Sequence, residues 1–461
     1  MIRLFKHYVS YAVVVLVLLD FALLAIAAES AWQLRTLQIG TSPGPFVERL
    51  LELLAYAALI VATMVAVGCY SPEALRSVRF ATARLLVAVS LGVIGISVLD
   101  FLIPGDLFWR SILLYAMILS VVLLVLNRVV AGPLLGTSTF KRRIVVLGAG
   151  ARARRLLALS NRPDSGFVIA GFVDMGDAPS EISQAVPRSS IGDLGKFVDR
   201  NAGGEVVLAL QERRNALPLK DLLNIKTRGV DVSEFGSFLE RQTGRVDLDT
   251  LNPSWLIFSD GFSSTQALSS AFKRVFDVFV SALILLLTFP VILLFAALVK
   301  LESRGPALYR QTRVGHYGAP FEIIKLRSMR QDAEKDGAQW AQQNDPRVTR
   351  IGRFIRLVRI DELPQLWTVL TGRMSFVGPR PERPEFVAEL DRELPYYAER
   401  HVVKPGITGW AQINYPYGAT REDAREKLEY DLYYAKNYSP FLDVLILLQT
   451  VRVILWPEGA R

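Results

Sequence analysis

Cysteine and histidine are nearly absent: one cysteine, Cys69, and three histidines, His7, His316 and His401, in 461 residues. Neither a disulfide framework nor a Cys/His zinc site can be assembled from so few, and cysteine-based catalysis has no partner set. Lysine is also scarce, with 12 against 41 arginines. An arginine excess favours bidentate recognition of phosphate or carboxylate over point-charge contacts. The net charge of +9 is compatible with anionic lipid, nucleic acid or a nucleotide substrate. What the chain does not lack is apolar residues: they make up 51%, and the mean hydropathy is +0.30. That exceeds the usual range of soluble domains and excludes a wholly soluble protein, while the length leaves room for about three folding units.

Four apolar runs, 8–28, 46–70, 80–103 and 107–131, each have the length of a bilayer-spanning helix. Asp20 is the only charge in the first, which is too long for the apolar core of a signal peptide. Arg3 and Lys6 precede the first run, Arg76 and Arg79 separate the second and third, and six basic residues between Lys141 and Arg155 follow the fourth. This asymmetry predicts a cytoplasmic N-terminus and a cytoplasmic chain beyond residue 131.

After a linker at 133–140, Arg143-Ile-Val-Val-Leu-Gly-Ala-Gly-Ala-Arg-Ala153 reads as a strand, a Gly-x-Gly-x-x-Ala turn and a helix, opening a Rossmann-like unit over 141–262. Asp174 follows Gly150 at the distance loosely expected of a ribose-binding acid. The turn either binds a dinucleotide at the helix N-terminus or only packs helix on strand, and NAD is not the expected reading. A fifth apolar run, 275–299, contains Pro290 and has basic residues at both ends. A proline removes a backbone hydrogen bond and the flanks give no asymmetry, so a helix that enters and leaves by one membrane face is expected rather than a span.

From Arg304 to Arg383 the chain carries 13 arginines interleaved with Gly-Pro pairs. Glycine lets backbone approach an anion and arginine supplies a fork of donors, which is the composition of a diphosphate site. Arg350, Arg353 and Arg356 follow helical spacing, facing either that site or lipid headgroups. In Arg359-Ile-Asp-Glu-Leu-Pro-Gln-Leu366 a helix is expected to begin at Asp361, which serves either as its cap or as an ionised nucleophile with Glu362 beside it as metal ligand or base.

The stretch 273–456 resembles the catalytic domain of the bacterial sugar transferases, the monotopic phosphoglycosyl transferases. The matching blocks are Lys273-Arg-Val-Phe-Asp277, Gly305-Pro-Ala-Leu-Tyr-Arg-Gln-Thr-Arg-Val-Gly315, Lys325-Leu-Arg-Ser-Met329, Asp345-Pro-Arg-Val-Thr-Arg350, Asp361-Glu-Leu-Pro-Gln-Leu366, Met374-Ser-Phe-Val-Gly-Pro-Arg-Pro-Glu382 and Lys404-Pro-Gly-Ile-Thr-Gly-Trp-Ala-Gln412. Four N-terminal helices followed by a Rossmann-like unit are similar to the large members that initiate exopolysaccharide assembly, and the first nine residues resemble the exosortase-associated subgroup. The implied architecture is a membrane α-helical bundle, an α/β Rossmann-like domain and an α-rich phosphoglycosyl transferase domain over 270–461 with a re-entrant membrane helix.

The resemblance implies transfer of a hexose 1-phosphate, glucose or galactose by expectation, from a UDP-sugar to undecaprenyl phosphate, with release of UMP. It implies magnesium, a phosphosugar intermediate on Asp361, Glu362 as its partner, and a lipid bilayer as the setting. Lys325, Arg327 and Arg380, then Arg310 and Arg313, are the expected phosphate contacts. Gln412 is a further candidate for the nucleotide, and Glu362 and Asp431 for metal. A homodimer is expected and nucleic acid is not an expected partner. Family members often break the re-entrant helix at Ser-Pro, whereas Phe289 precedes Pro290 here and Thr288 is the nearest hydroxyl. The segment 440–456 is expected as an interfacial helix, a packed one being the alternative. A membrane-anchored nucleotide-sugar dehydratase is disfavoured, because no lysine has a tyrosine four residues before it. A non-catalytic scaffold is disfavoured by the intact carboxylate pair and arginine blocks.

Overall fold

A computed structural model describes residues 2–4, 7–9, 11–71, 74, 78–102, 110–135, 141–162, 165–211, 217–251, 267–331, 333, 345–416, 418 and 420–455. The chain divides into two compact units, the second taking over at Arg245.

The first unit opens with four long helices: α1 (Tyr11–Ile39), α2 (Phe46–Val67), α3 (Val78–Leu102) and α4 (Arg110–Leu135). With the long helix of the second unit, five described helices are long and apolar enough to cross a membrane. α4 runs on into the stretch expected as linker, and residues 136–140 lie outside the described ones. In lipid, packing and hydrogen bonds hold helices together, because the tails are as apolar as the side chains. Gly92 of α3 therefore sits against Ile60 of α2 so closely that a Cβ there would fall 2.4 Å from Ile60 Cδ1. The Tyr56 hydroxyl meets the Ser120 hydroxyl at 2.9 Å. Asp20, fully buried, accepts both arms of the Arg128 guanidinium at 3.1 and 2.8 Å and the Asn127 amide at 2.7 Å. The one charge in the first apolar run is thus neutralised by a charge near the far end of the fourth.

A five-stranded parallel sheet follows: β1 (Arg142–Leu147), β2 (Phe167–Asp174), β3 (Val186–Pro187), β4 (Glu205–Leu208) and β5 (Asp231–Glu234), in the spatial order β3-β2-β1-β4-β5. Alternate side chains of β1 go to opposite faces. Ile144 and Val146 pack on α5 (Ala151–Ser160) and α8 (Phe235–Thr243), whereas Val145 and Leu147 pack on α6 (Leu194–Arg200) and α7 (Leu219–Thr227). This is the doubly wound arrangement expected of a Rossmann-like unit. Gly148 has φ +118° because a side chain there would meet the Ala209 carbonyl of the neighbouring strand at 2.8 Å. The chain that follows β2 packs back against the glycine turn. A Cβ on Gly150 would lie 3.2 Å from the Ala178 Cβ, and the Glu181 amide donates to the Ala149 carbonyl at 2.7 Å. Asp174 closes its own turn by accepting from the Gly176 amide.

The helix α8 ends at Gly244, left-handed at φ 66°, and the chain from Arg245 onward belongs to the second unit rather than continuing the sheet domain to 262. Val246 and Leu248 enter the core of that unit, and Arg245 pairs with Glu426. After residues outside the description comes α9 (Ala267–Glu302), one helix with Pro290 inside it. Then follow an antiparallel hairpin, β6 (Leu308–Val314) and β7 (Pro320–Leu326), and the short helices α10 (Arg350–Leu357) and α11 (Gln365–Leu370). β8 (Ser375–Val377) pairs in parallel with β9 (Gly406–Thr408). The helices α12 (Pro384–Glu393), α13 (Trp410–Asn414), α14 (Arg421–Asn437) and α15 (Pro440–Leu455) complete the domain. The C-terminal helix is packed, correcting the interfacial expectation: Leu442 and Ile446 are wholly buried, and Asp443 accepts from Lys273 Nζ at 2.6 Å and the Tyr434 hydroxyl at 2.7 Å.

Removing one partner of a buried ion pair strands the other charge, at a cost of about 3–5 kcal/mol. Asp20→Ala should therefore sharply lower the thermal stability of the detergent-purified protein, and the exchanged pair Asp20→Arg with Arg128→Asp should recover part of the loss.

Candidate functional site

Asp361 and Glu362 lie in a single 3₁₀ turn, Ile360–Glu362, between α10 and α11. The chain enters this turn through Arg359, whose φ of 60° is left-handed, a conformation that costs a non-glycine residue of order 1 kcal/mol or more. The helix α11 begins only at Gln365, with Pro364 at its cap. Pro364 has no amide hydrogen to satisfy there, so the helix start moves four residues beyond the expected one and Asp361 does not cap it.

Both carboxylates are 8% exposed. Glu362 Oε1 accepts from Arg380 Nη2 at 2.8 Å and Lys325 Nζ at 3.2 Å, with Arg359 Nη1 at 3.9 Å. Burial works against the Glu362 charge, but Arg380, Lys325 and Arg359 together hold its carboxyl well below the ordinary value. Asp361 responds in the opposite sense. Burial and the neighbouring Glu362 charge push it up to about 6, against the pull of Lys325, Arg359 and Arg356. Its Oδ1 is buried and has no hydrogen-bond partner among the described residues. One carboxylate is thus saturated with cations, and the other keeps an unengaged oxygen.

Three of the expected site residues, Lys325, Arg380 and Glu362, are brought together by the hairpin strand β7 and the Gly378-Pro-Arg-Pro-Glu382 loop. Arg313 stands beside that loop, donating to the Pro381 carbonyl at 3.1 Å and to Gln311 Oε1 at 2.6 Å. Arg310 is on the surface, 68% exposed, with Glu322 at 3.8 Å.

Arg327 has a different task from phosphate contact. Its guanidinium donates to the carbonyls of Arg304 at 2.9 Å and Ser303 at 2.7 Å, closing the C-terminal end of α9. Unpaired carbonyls at a helix end attract a cation, and this one is taken up there. Asp431 is likewise engaged elsewhere. Its Oδ2 accepts Arg400 Nη2 at 2.6 Å and Nε at 3.0 Å, and no group of three metal-ligating side chains exists among the described residues. Gln412 donates to the Ile407 carbonyl at 3.0 Å and leaves its Oε1 buried without a partner among the described residues.

Magnesium is commonly held by one or two carboxylates together with substrate phosphates. The second oxygen of Glu362 fits that demand, whereas Asp431, bound by Arg400, does not.

The sequence reading did not single out Arg359, Gln365 or Arg400. Arg359 and Gln365 border the carboxylate pair in sequence, which was the available signal; Gln365 Nε2 is buried and unpartnered among the described residues. For Arg400 no local pattern exists.

The long helix is tied to this site at both ends. Arg274 donates to the carbonyls of Val369 and Leu370 at the end of α11, both at 2.7 Å. Asp277 accepts from the Ser375 hydroxyl and the Phe376 amide at 3.1 Å. At the other end Glu302 accepts from the amides of Arg350 and Ile351 at the start of α10. Thr288 donates to the Ile284 carbonyl at 2.7 Å, the ordinary bond to the preceding turn, and not to the Leu286 carbonyl that Pro290 leaves without a donor.

Comparison with known proteins agrees with this division. A model of the bacterial sugar transferase family matches residues 268–457, and one described as a CoA-binding domain matches 65–224. The UDP-N-acetylgalactosamine-undecaprenyl-phosphate N-acetylgalactosaminephosphotransferase of Aeromonas hydrophila is 48% identical over 222 residues, 48% of this chain and 52% of that protein. The undecaprenyl-phosphate glucose phosphotransferase of Komagataeibacter xylinus is 34% identical over 74% of this chain and 65% of its own length. The match therefore spans about half of the first relative and just under two thirds of the second. The UDP-glucose:undecaprenyl-phosphate glucose-1-phosphate transferase of Escherichia coli is 35% identical over 332 residues, 70% of each chain. Identity at this level over most of both chains, together with the family match across the domain that carries Asp361 and Glu362, shows that this protein belongs to the bacterial sugar transferase family.

Proposed function

We propose that the protein transfers a hexose 1-phosphate from a UDP-sugar to undecaprenyl phosphate at the cytoplasmic face of the bacterial inner membrane, initiating exopolysaccharide assembly. The observation that carries this reading is the asymmetry of the carboxylate pair: Glu362 bound by two cations, Asp361 buried with a free oxygen. A nucleophile needs an unengaged lone pair, and a transferring phosphoryl group needs fixed positive charge nearby.

Asp361 Oδ1 attacks the β-phosphorus of the UDP-sugar, the bond from that phosphorus to the bridging oxygen breaks, and UMP leaves with the bond's electrons. A phosphate oxygen of the polyprenyl acceptor then attacks the same phosphorus and returns Asp361 as a carboxylate. Splitting the transfer in two lets a water-borne and a lipid-borne substrate use the site in turn. Lys325 and Arg380 keep Glu362 ionised and place positive charge beside the reacting phosphate. Magnesium held through the second oxygen of Glu362 would neutralise charge on the diphosphate.

The α9 contacts support a re-entrant helix. A helix that crossed the bilayer would carry its ends to opposite faces, where one domain could not bind both Arg274 and Glu302. Exposed Phe354, Leu357 and Trp367, flanked by Arg350 and Arg353, support placement of this domain against lipid. Orientation follows the basic loops read from the sequence. The sugar is read as a hexose at the level of class, since the relatives' names divide between glucose and N-acetylgalactosamine. The sheet unit is read as holding no dinucleotide, a reading supported by the close packing of Ala178 on Gly150.

The test is UMP release from a panel of UDP-sugars by detergent-purified protein with undecaprenyl phosphate and magnesium. One sugar should release UMP, and Asp361→Asn should reduce the rate by about a thousandfold or more. Absence of UMP from every sugar with folded protein would remove the transferase reading. The nucleophile must be ionised, so the rate should climb as pH rises through about 6, where Asp361 loses its proton, and fall about tenfold per unit below it. Glu362 stays ionised throughout and adds no second limb. NAD added at millimolar concentration should leave the melting temperature unchanged, since only a ligand that binds the native state raises it.

A further inference from the structure

Arg400 is 5% exposed and lies in a 3₁₀ segment, Ala398–Val402, remote in sequence from the carboxylate pair. Every arm of its guanidinium is used. Nε and Nη2 donate to Asp431 Oδ2 at 3.0 and 2.6 Å, Nη1 donates to the Tyr397 hydroxyl at 3.1 Å, and Nη2 also donates to the backbone carbonyl of Arg380 at 3.0 Å. The guanidinium also stands over the Tyr397 ring, 5.2 Å from its centroid. Arg380 is flanked by Pro379 and Pro381, so neither neighbour in the loop donates an amide hydrogen, and the loop has few backbone bonds of its own with which to fix that carbonyl. What holds the loop is its surroundings: the Gly406 amide on the Pro379 carbonyl at 2.9 Å, the Gly378 amide on the Thr408 carbonyl at 2.9 Å, and Arg400 on Arg380 itself. The side chain of the same residue delivers Nη2 to Glu362 Oε1 at 2.8 Å.

We infer that Arg400, oriented by Asp431 and Tyr397, is a positioning residue for the transfer, fixing the backbone of Arg380 so that the Arg380 guanidinium meets Glu362 and the substrate phosphate beside it. A lysine at 400 keeps the charge but has a single donor group and cannot form the two-armed bond to Asp431 while also holding the Arg380 carbonyl. This inference rests on the reading of the pair as the transfer site, and it assigns Asp431 a second role, that of orienting Arg400, in place of metal binding.

The experiment has two arms on the full-length protein. In the first, hydrogen exchange is measured on the wild type and on Arg400→Lys. Faster exchange confined to residues 378–383 and their partners in β9 is expected; exchange that rises through α14, or does not change in the loop, overturns the inference. In the second, UMP release is measured for Arg400→Lys, Arg380→Ala and the double variant. Arg400→Lys should slow release by about tenfold or more, with kcat falling more than KM rises, since a displaced group far from the chemistry costs rate on this scale. In the Arg380→Ala background the same substitution should cost little further. Equal losses in both backgrounds mean that Arg400 acts independently of Arg380 and overturn the inference. Asp431→Asn should follow Arg400→Lys in both arms. If the wild type releases no UMP from any UDP-sugar, the functional reading fails, and the exchange arm still decides whether Arg400 holds the loop.

Discussion

Two adjacent buried carboxylates are the constraint around which the second unit is organised. Adjacent negative charges removed from water cannot both remain ionised unless cations are supplied, and here the supply is unequal. Glu362 takes Arg380 from one loop and Lys325 from a hairpin strand, and Asp361 is left with burial and a charged neighbour. That inequality separates the two groups into a permanently charged anchor and a carboxylate with a free oxygen. The surrounding elements are consequences: a left-handed Arg359 to turn the chain sharply, Pro364 to begin the next helix without a capping side chain, and a doubly proline-flanked Arg380 presented from a loop whose backbone is held from outside.

The membrane imposes the second constraint, and the protein meets it at the same place. α9 is apolar along most of its length, but its polar ends are not left to water. Lys273, Arg274 and Asp277 at one end and Glu302 at the other bond to the elements on both sides of the carboxylate turn. The termini of α9 also supply what the short helices need, Arg274 for the carbonyls ending α11 and Glu302 for the amides starting α10, while Arg327, just after β7, closes the end of α9. The long apolar helix and the carboxylate turn are therefore one hydrogen-bonded assembly. In the first unit the same economy appears as the Asp20 and Arg128 pair, which allows two charges to lie inside a helical bundle because each is the other's partner.

The sheet unit has the strand order and glycine turn of a Rossmann-like unit, with Ala178 packed close against Gly150. A glycine there serves close packing of the chain on itself.

Much was legible in the sequence because it depends on local composition. Apolar runs of bilayer length became helices, with ends moved by up to about three turns. The aliphatic strands became a parallel sheet, and Lys325 and Arg380 lie against Glu362 of the carboxylate pair. Ionisable residues beyond these could not be assigned from sequence, since arginine spacing does not say what each guanidinium touches. Arg327 and Arg380 look equivalent in an arginine-rich stretch, but one closes a helix end and the other binds Glu362. Asp431 looks like a metal ligand until Arg400 is seen to claim it, and residues 440–455 look interfacial until Asp443 is seen bonded to Lys273. Composition and periodicity determined by themselves which segments form helices long and apolar enough to cross a membrane, which form the sheet and where the charged residues concentrate. Only the tertiary structure decided which cation meets which carboxylate, because that depends on which loops cross, and loop crossings are set by packing between residues distant in sequence.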